Sequence, residues 1–197
     1  MIENRRRLRH IVAVKRAILL LLAAGWFAGC AKSSPPAAPA ANSPDTNSNP
    51  LAVNSPYTNL PTHAQARLRT LKIYLGAETL DAELALSEQE VTTGMMFRTN
   101  IPESDAMLFD LRVPQRASFW MANCPESLSV AYISPDGVIQ EIHHLEKYDT
   151  NSVVSARNDI VFALETKDGW FQRHHIGVGT VIETEKGSLA HVFLQGQ

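Results

Sequence analysis

The chain is short of almost every feature that announces a particular chemistry. No uninterrupted apolar run among its 197 residues reaches the ~18 that an ordinary membrane-spanning helix needs. Its two cysteines, Cys30 and Cys124, are too few for a disulfide framework. Cys-x-x-Cys, His-Glu-x-x-His, P-loop, dinucleotide and Gly-x-Ser-x-Gly signatures are all missing, so no cofactor is implied. Ten glycines and eleven prolines exclude a collagen-like chain. Charge is scarce and nearly balanced, at a formal net of -2. What is present is 45% hydrophobic residues, enough to bury a core, in a length that fits one domain with accessory sequence.

That balance hides an asymmetry. Residues 1–16 carry six basic side chains against the single acid Glu3, so the rest of the chain is acidic. An acidic body argues against a nucleic-acid partner, whose phosphates need clustered Lys and Arg.

After the basic start, Ala17–Gly29 (AILLLLAAGWFAG) is uncharged and ends in small residues. As a helix it rises only about 20 Å, short of the ~30 Å hydrocarbon core, and the pattern predicts a signal peptide over residues 1–29. Phe27-Ala28-Gly29-Cys30 is similar to a bacterial lipobox, although Phe27 stands where Leu is usual. The similarity implies acylation of Cys30, with the membrane as partner through that lipid anchor. Ala31 lacks the aspartate associated with inner-membrane retention. The implied address is therefore the cell envelope, on the periplasmic face of the outer membrane. A twin-arginine reading of Arg5-Arg6-Arg7-Leu8 ranks second, because arginine-rich starts are common.

From Cys30 to residue 67 the chain is dominated by Ala, Pro, Ser, Asn and Thr. Such a stretch cannot bury enough apolar surface to offset its ordering entropy, and it reads as a tether several tens of ångströms long. Residues 68–197 are then the folded domain.

Within that domain, Leu71–Leu75 and Leu80–Leu86 alternate apolar and polar residues around a break at Gly76, which predicts a hairpin. Ser87-Glu88-Gln89-Glu90 fits a capping box, with Gly94 placed to end a short helix. Strands are expected at 106–109, 117–121 and 128–134. Pro135-Asp136-Gly137 should turn the chain into a strand over 138–145. Strands are also expected at 160–165, 180–184 and 189–194, with a helical turn over 169–174. Short strands without long crossover helices predict a mostly β fold, a single antiparallel β-sandwich or barrel with one or two short helices.

An ordered set of motifs runs through the same region: Gly94-Met95-Met96-Phe97-Arg98, Met107-Leu108-Phe109 and Phe119-Trp120-Met121-Ala122-Asn123. Leu128–Val138, Leu164-Glu165 and Ile176-Gly177-Val178-Gly179 continue it. Over about residues 70–194 the chain resembles the bacterial and archaeal domain-of-unknown-function family 192. The resemblance implies a compact, mostly β domain of the sandwich kind, and the family supplies no catalytic activity to carry over. Ala106, Ala122, Cys124, Ser129 and Thr180 depart from the family's usual residues.

Several constellations invite a chemical reading. Met95, Met96, Met107 and Met121 are potential Cu(I) ligands, but the Met-x-x-Met spacing of copper carriers is absent and aromatic neighbours favour core packing. His143-His144 and His174-His175 lack zinc spacing, since adjacent side chains diverge on a strand or helix. Cys124 is the one thiol left after acylation of Cys30, and an inert thiol outweighs a catalytic one. Arg98, Trp120, Asn123 and Glu165 are the candidate ligand-binding residues, being polar or amphipathic groups embedded in apolar motifs. An arginine forks onto anions, tryptophan stacks on sugar rings and asparagine both donates and accepts. The competing reading is architectural, with Arg98 paired to Glu165 or capping carbonyls, Trp120 in the core and Asn123 closing a turn.

These residues favour a non-catalytic binding domain displayed in the envelope, with a glycan, peptide or protein partner. The alternative is a hydrolase of envelope polymers using carboxylates such as Asp110, Glu141 or Glu165, and a copper or zinc binder comes last.

Overall fold

The computed structural model describes residues 60–195, so the expectations for residues 1–59 lie outside the described residues. Leu60 to Arg69 form no helix or strand but are tied to the domain. Gln65 donates from Nε2 to the carbonyls of Glu90 (3.2 Å) and Gly94 (2.9 Å).

The first hairpin forms as the alternation requires. Strands β1 (Thr70–Leu75) and β2 (Glu78–Ala85) pair in register around Gly76, which adopts φ +64. After β2 comes α1 (Glu88–Thr93), with both halves of the capping box made: Ser87 Oγ accepts from the Glu90 amide, and Glu90 accepts from the Ser87 amide. Gly94 ends the helix at φ +47, donating to the Glu90 carbonyl at 2.8 Å. A Cβ at Gly94 would stand 3.4 Å from the Phe109 ring, so the turn passes closely over the sheet.

Residues 86–104 form a crossover long enough to bring β3 (Asp105–Gln115) parallel to β2. This is the one parallel pair in the sheet, and it departs from the all-antiparallel expectation. A two-residue strand β4 (Ser118–Phe119) pairs with β7 (Val153–Val154) in a separate small sheet. Strands β5 (Leu128–Ile133) and β6 (Ile139–Leu145) form the hairpin predicted at Pro135-Asp136-Gly137, with Gly137 at φ +80. Then follow β8 (Ile160–Lys167), the short helix α2 (Trp170–Arg173), β9 (Ile182–Thr184) and β10 (Gly187–Ser188).

The expected last strand is instead a single π-helical turn, Ala190–Leu194. Leu189, Val192 and Phe193 are spaced i, i+3, i+4, and all three pack on the core from one side of that turn. The same residues alternate well enough to resemble a strand.

The main sheet has the order β10-β9-β1-β2-β3-β8-β5-β6. It curls until the start of β6 meets the chain before β9 at an isolated Val138–Val181 bridge. Ile139 N donates to Thr180 O there (2.9 Å), and Ile182 N to Gly137 O (2.8 Å). The domain is therefore a mostly β structure built on a curled mixed sheet that is not a closed barrel.

Both faces of the central strands are covered. The concave face packs aliphatic residues such as Ile73, Leu75, Leu108, Ile133 and Leu164, plugged by Trp170 and Phe171 of α2. The other face carries Met95, Met96, Met107, Phe109, Met121 and Tyr132, so the four methionines of the sequence pattern lie in one core layer with aromatics. Two segments roof this second layer: the 86–104 crossover and the chain around β4.

Candidate functional site

Between those two roofing segments the second layer is open, leaving a cleft of about 500 Å³. One wall is Ser87–Met96 on and after α1, and the other is Ala117–Trp120 around β4. Phe109 of β3 and Glu165 of β8 belong to its sheet side, with Cys124 beside them. A wider groove of about 750 Å³ lies on the far side of α1, against Leu60–Gln65, and its lining holds no buried titratable side chain.

Glu165 is the chemical centre of the cleft. Strand pairing sets it opposite Met107 on one side and Val130 on the other, so it points into the second layer. It is 4% exposed, and among the described residues its carboxyl has no hydrogen-bond or ion-pair partner. Burial pushes its acid up to about 8, so near neutral pH the group is mostly a neutral O–H donor. Cys124 is also buried, and desolvation, reinforced by the Glu165 charge, pushes its thiol up to about 12. That is the environment of an inert thiol. Burial likewise raises the Tyr132 phenol, whose O–H donates to the Val153 carbonyl at 2.5 Å.

The walls are aromatic and thioether. Phe119 packs edge-on against Phe109 (centroids 5.0 Å) and leans on Tyr132 (5.8 Å), and half-buried Trp120 continues that wall. The mouth is polar, with Ser87, Glu88, Thr92 and Gln115 among its residues, together with Arg112 and Arg116. Both arginines are held from within the fold. Arg112 reaches the Leu86 carbonyl and Asp110, while Arg116 donates from Nε and Nη2 to the Ser155 carbonyl at 3.0 and 2.9 Å.

Of the four residues singled out in the sequence, the structure brings Trp120 and Glu165 to this cleft and places the other two elsewhere. Arg98 does not meet Glu165. It forks onto Glu83 of β2, with Nη1–Oε1 at 2.5 Å and Nη2–Oε2 at 2.8 Å, beside a separate cavity of about 180 Å³. Its Nε is buried without an acceptor. Asn123 sits in a turn at φ +59, its carbonyl accepting from the Phe97 amide (2.7 Å) and its side chain touching Met96 sulfur.

The carboxylates considered for hydrolysis do not converge. Asp110 pairs with Phe162, whose parity puts it on the opposite sheet face from Glu165, and it accepts from the Arg112 amide. Glu141 is taken up by His143 (2.9 Å) and by the amides of Ala156 and Arg157 (both 3.1 Å). The histidine pairs also divide their attention: His144 bonds Asp168 and Glu146, and His174 contacts Glu78 and Glu103 while stacking on Trp170. Among the described residues, no group of three or more His, Cys, Asp or Glu is disposed to hold a metal ion.

Sequence reasoning did not single out Arg112 and Arg116. The available signal was Pro114 between them, which marks a stretch where β3 leaves its regular pairing.

Fold and cleft together define a mostly β domain with one buried, unpaired acid beneath an aromatic-walled opening. The chain belongs to the DUF192 family, described as “Uncharacterized ACR”, whose model matches residues 71–184, more than half of the chain. Two solved structures share the fold. One, a Sinorhizobium meliloti 1021 protein whose assignment as a transcription regulator is provisional, is 24% identical with a TM-score of 0.58. The match covers 61% of this chain and 98% of that one. The other, a protein of unknown function from Novosphingobium aromaticivorans DSM 12444, is 25% identical with a TM-score of 0.57, covering 64% and 94%. No curated protein matches the chain.

Proposed function

We propose that this chain is an exported, lipid-anchored protein of the cell envelope that acts by binding. Its cleft is offered to an envelope glycan, peptide or partner protein from a tether fixed to the membrane at Cys30. One observation carries the binding half of this reading: the Glu165 carboxyl, desolvated and unpartnered, at an open cleft. Among the described residues no donor of the fold meets this carboxyl, so its hydrogen bonding is left to water or to a ligand in the cleft, and a ligand that completes the bond takes the place of water. Catalysis is supported less well, because the carboxylates are dispersed and the thiol is held protonated. The anchoring half rests on the basic start, the short apolar stretch and the Phe27-Ala28-Gly29-Cys30 sequence.

The binding half is tested by immobilising the full chain in mild detergent and passing envelope and cytosolic extracts over it. A Ser118→Trp variant, which fills the cleft mouth, serves as the control. Material retained from the envelope by the wild type and not by the variant is expected, and equal retention by both refutes the cleft. The anchor is tested by mass spectrometry of the chain and of Cys30→Ser. Acyl mass on Cys30, lost together with processing in the variant, is expected. A processed variant still held at the membrane refutes it.

A further inference from the structure

The mouth of the cleft narrows what its ligand is, and this step rests on the binding reading above. Arg116 stands there with its contacts on one edge only. Its Nε and Nη2 both donate to the Ser155 carbonyl, at 3.0 and 2.9 Å. Ser155 is itself wholly buried and locked, its Oγ accepting from the Ala117 amide at 2.9 Å and donating to the Arg157 carbonyl at 2.7 Å. The guanidinium is therefore held from inside. Its outer edge, Nη1 with the second hydrogen of Nη2, is the fork that fits a carboxylate, and among the described residues no acid takes it. Asp110 is engaged with Arg112, and Glu88 is exposed in the first turn of α1.

Two residues further on, the cleft wall offers backbone. The Ala117 carbonyl accepts from the Ser155 amide (2.8 Å), and β4 continues antiparallel to β7 with Ser118 opposite Val154. Rungs of such a ladder alternate, so the bonded rung at Ala117 leaves Ser118 with its N–H and C=O pointing away from β7. Among the described strands β4 has no second neighbour, and Ser118 is an exposed residue of the cleft. A free strand edge suits an incoming extended chain, which pairs through its main-chain groups. Ser118 lies roughly 7 Å from Arg116 along an extended chain, the reach of two residues. The inner cleft is apolar and, through its thioethers, adaptable: Met95, Met96 and Phe109 line it. Its volume of about 500 Å³ admits roughly two residues of a chain end.

We propose that the cleft binds the C-terminal end of a polypeptide. The terminal carboxylate lies on the open fork of Arg116, the backbone pairs with Ser118, and the last side chain, large and apolar, enters among Met95, Met96 and Phe109. A peptide group both donates and accepts, so it meets the Glu165 carboxyl in either protonation state. A uronic-acid glycan is the rival, since it also brings carboxylates to an arginine. It has neither main-chain amides for a strand edge nor a large apolar side chain for the inner cleft.

The test is fluorescence anisotropy of the full chain in mild detergent with hexapeptides labelled at the N-terminus and identical except at the other end. They finish in Leu or Phe as free acids, in Leu or Phe as amides, or in Ser as the free acid, and digalacturonic acid is the competitor. The tighter of the two apolar acids is expected to bind at least tenfold more strongly than its amide and than the Ser peptide, with no displacement by digalacturonic acid. Arg116→Gln should bring acid and amide to equal affinity. Ser118→Pro, which deletes the outward amide without touching a bond to β7, should weaken acid and amide alike by severalfold. Melting curves show that each variant is folded, and the comparison of acid with amide on the wild type needs no variant.

Equal binding of acid and amide by the wild type, or an acid preference that survives in folded Arg116→Gln, overturns the proposal. Unchanged binding by Ser118→Pro overturns the pairing at the strand edge, and displacement by digalacturonic acid overturns the ligand class in favour of a glycan. Failure of every peptide while envelope material is still retained by the wild type and not by Ser118→Trp refutes the ligand class and leaves the binding function standing. Failure of both refutes both.

Discussion

Glu83 and Glu165 stand in the same cross-strand row, separated by Met107 on β3, their backbones roughly 10 Å apart. They are buried almost equally, at 2% and 4% exposure. Their surroundings are opposite. Glu83 is saturated: Arg98 forks onto it, Arg67 approaches at 3.3 Å, and the Leu68 amide donates at 2.7 Å. Glu165 has no such partner among the described residues, and it faces a cavity almost three times larger. One buried acid thus binds the 94–98 turn and the incoming chain to the sheet. The other has its hydrogen-bonding capacity left over. The member of this matched pair with no partner in the fold is the one left open to a ligand, and the proposed function is centred on it for that reason.

The largest effect should come from breaking the satisfied side. Glu83→Ala strips Arg98 of its fork partner in a setting where the guanidinium already has one unpaired nitrogen. Removing one partner of a buried ion pair typically costs about 3–5 kcal/mol. Denaturant unfolding should show a loss of that order, and a loss below about 1 kcal/mol would mean that water replaces the carboxylate freely and the contrast is weaker than the geometry implies.

The same substitution logic has the opposite sign at Glu165. Its folded pKa, about 8, lies above the ordinary carboxylate value of 4.5. Below about pH 4.5 both folded and unfolded chains hold the proton, so the group is neutral in its effect. Between about 4.5 and 8 the unfolded chain ionises first, and the fold loses stability at roughly 1 kcal/mol per pH unit. Glu165→Gln removes that loss. Melting curves should therefore show the variant matching the wild type near pH 4 and exceeding it by a few kcal/mol near pH 8. A constant offset across that range would show that Glu165 ionises as readily in the folded chain as outside it.

Much of this architecture was readable in advance, and the unreadable parts share a cause. The β1–β2 and β5–β6 hairpins follow from alternation and from turns at Gly76 and Pro135-Asp136-Gly137, all local information. The parallel β2–β3 pairing was not readable, because its register is set by a crossover whose path depends on tertiary packing. Glu83 reads as an outward polar residue in Leu80–Leu86, and strand parity does place it opposite the aliphatic face. It is buried because that second face is itself roofed by distant chain, which alternation cannot reveal. The partner of Arg98 was hidden for the same reason. Trp120 and Glu165, by contrast, were exposed as candidates by the mismatch between their polarity and the apolar motifs around them.

The smallest effect concerns the thiol beside Glu165, and it separates burial from charge as the source of the cleft's chemistry. Cys124 is raised first by desolvation and only second by the Glu165 carboxylate. Replacing Glu165 with Gln removes the second influence and leaves the first. Alkylation of Cys124 followed at pH 9, where the wild-type acid is ionised, should therefore quicken by well under tenfold in Glu165→Gln and remain far slower than in the unfolded chain. A thiol that became freely reactive on loss of that one charge would show that electrostatics, not the apolar roof, governs the cleft. In that case Glu165 would also sit in a more polar medium than its neighbours Met95, Met96 and Phe109 imply, and its role as a neutral donor would lose its physical basis.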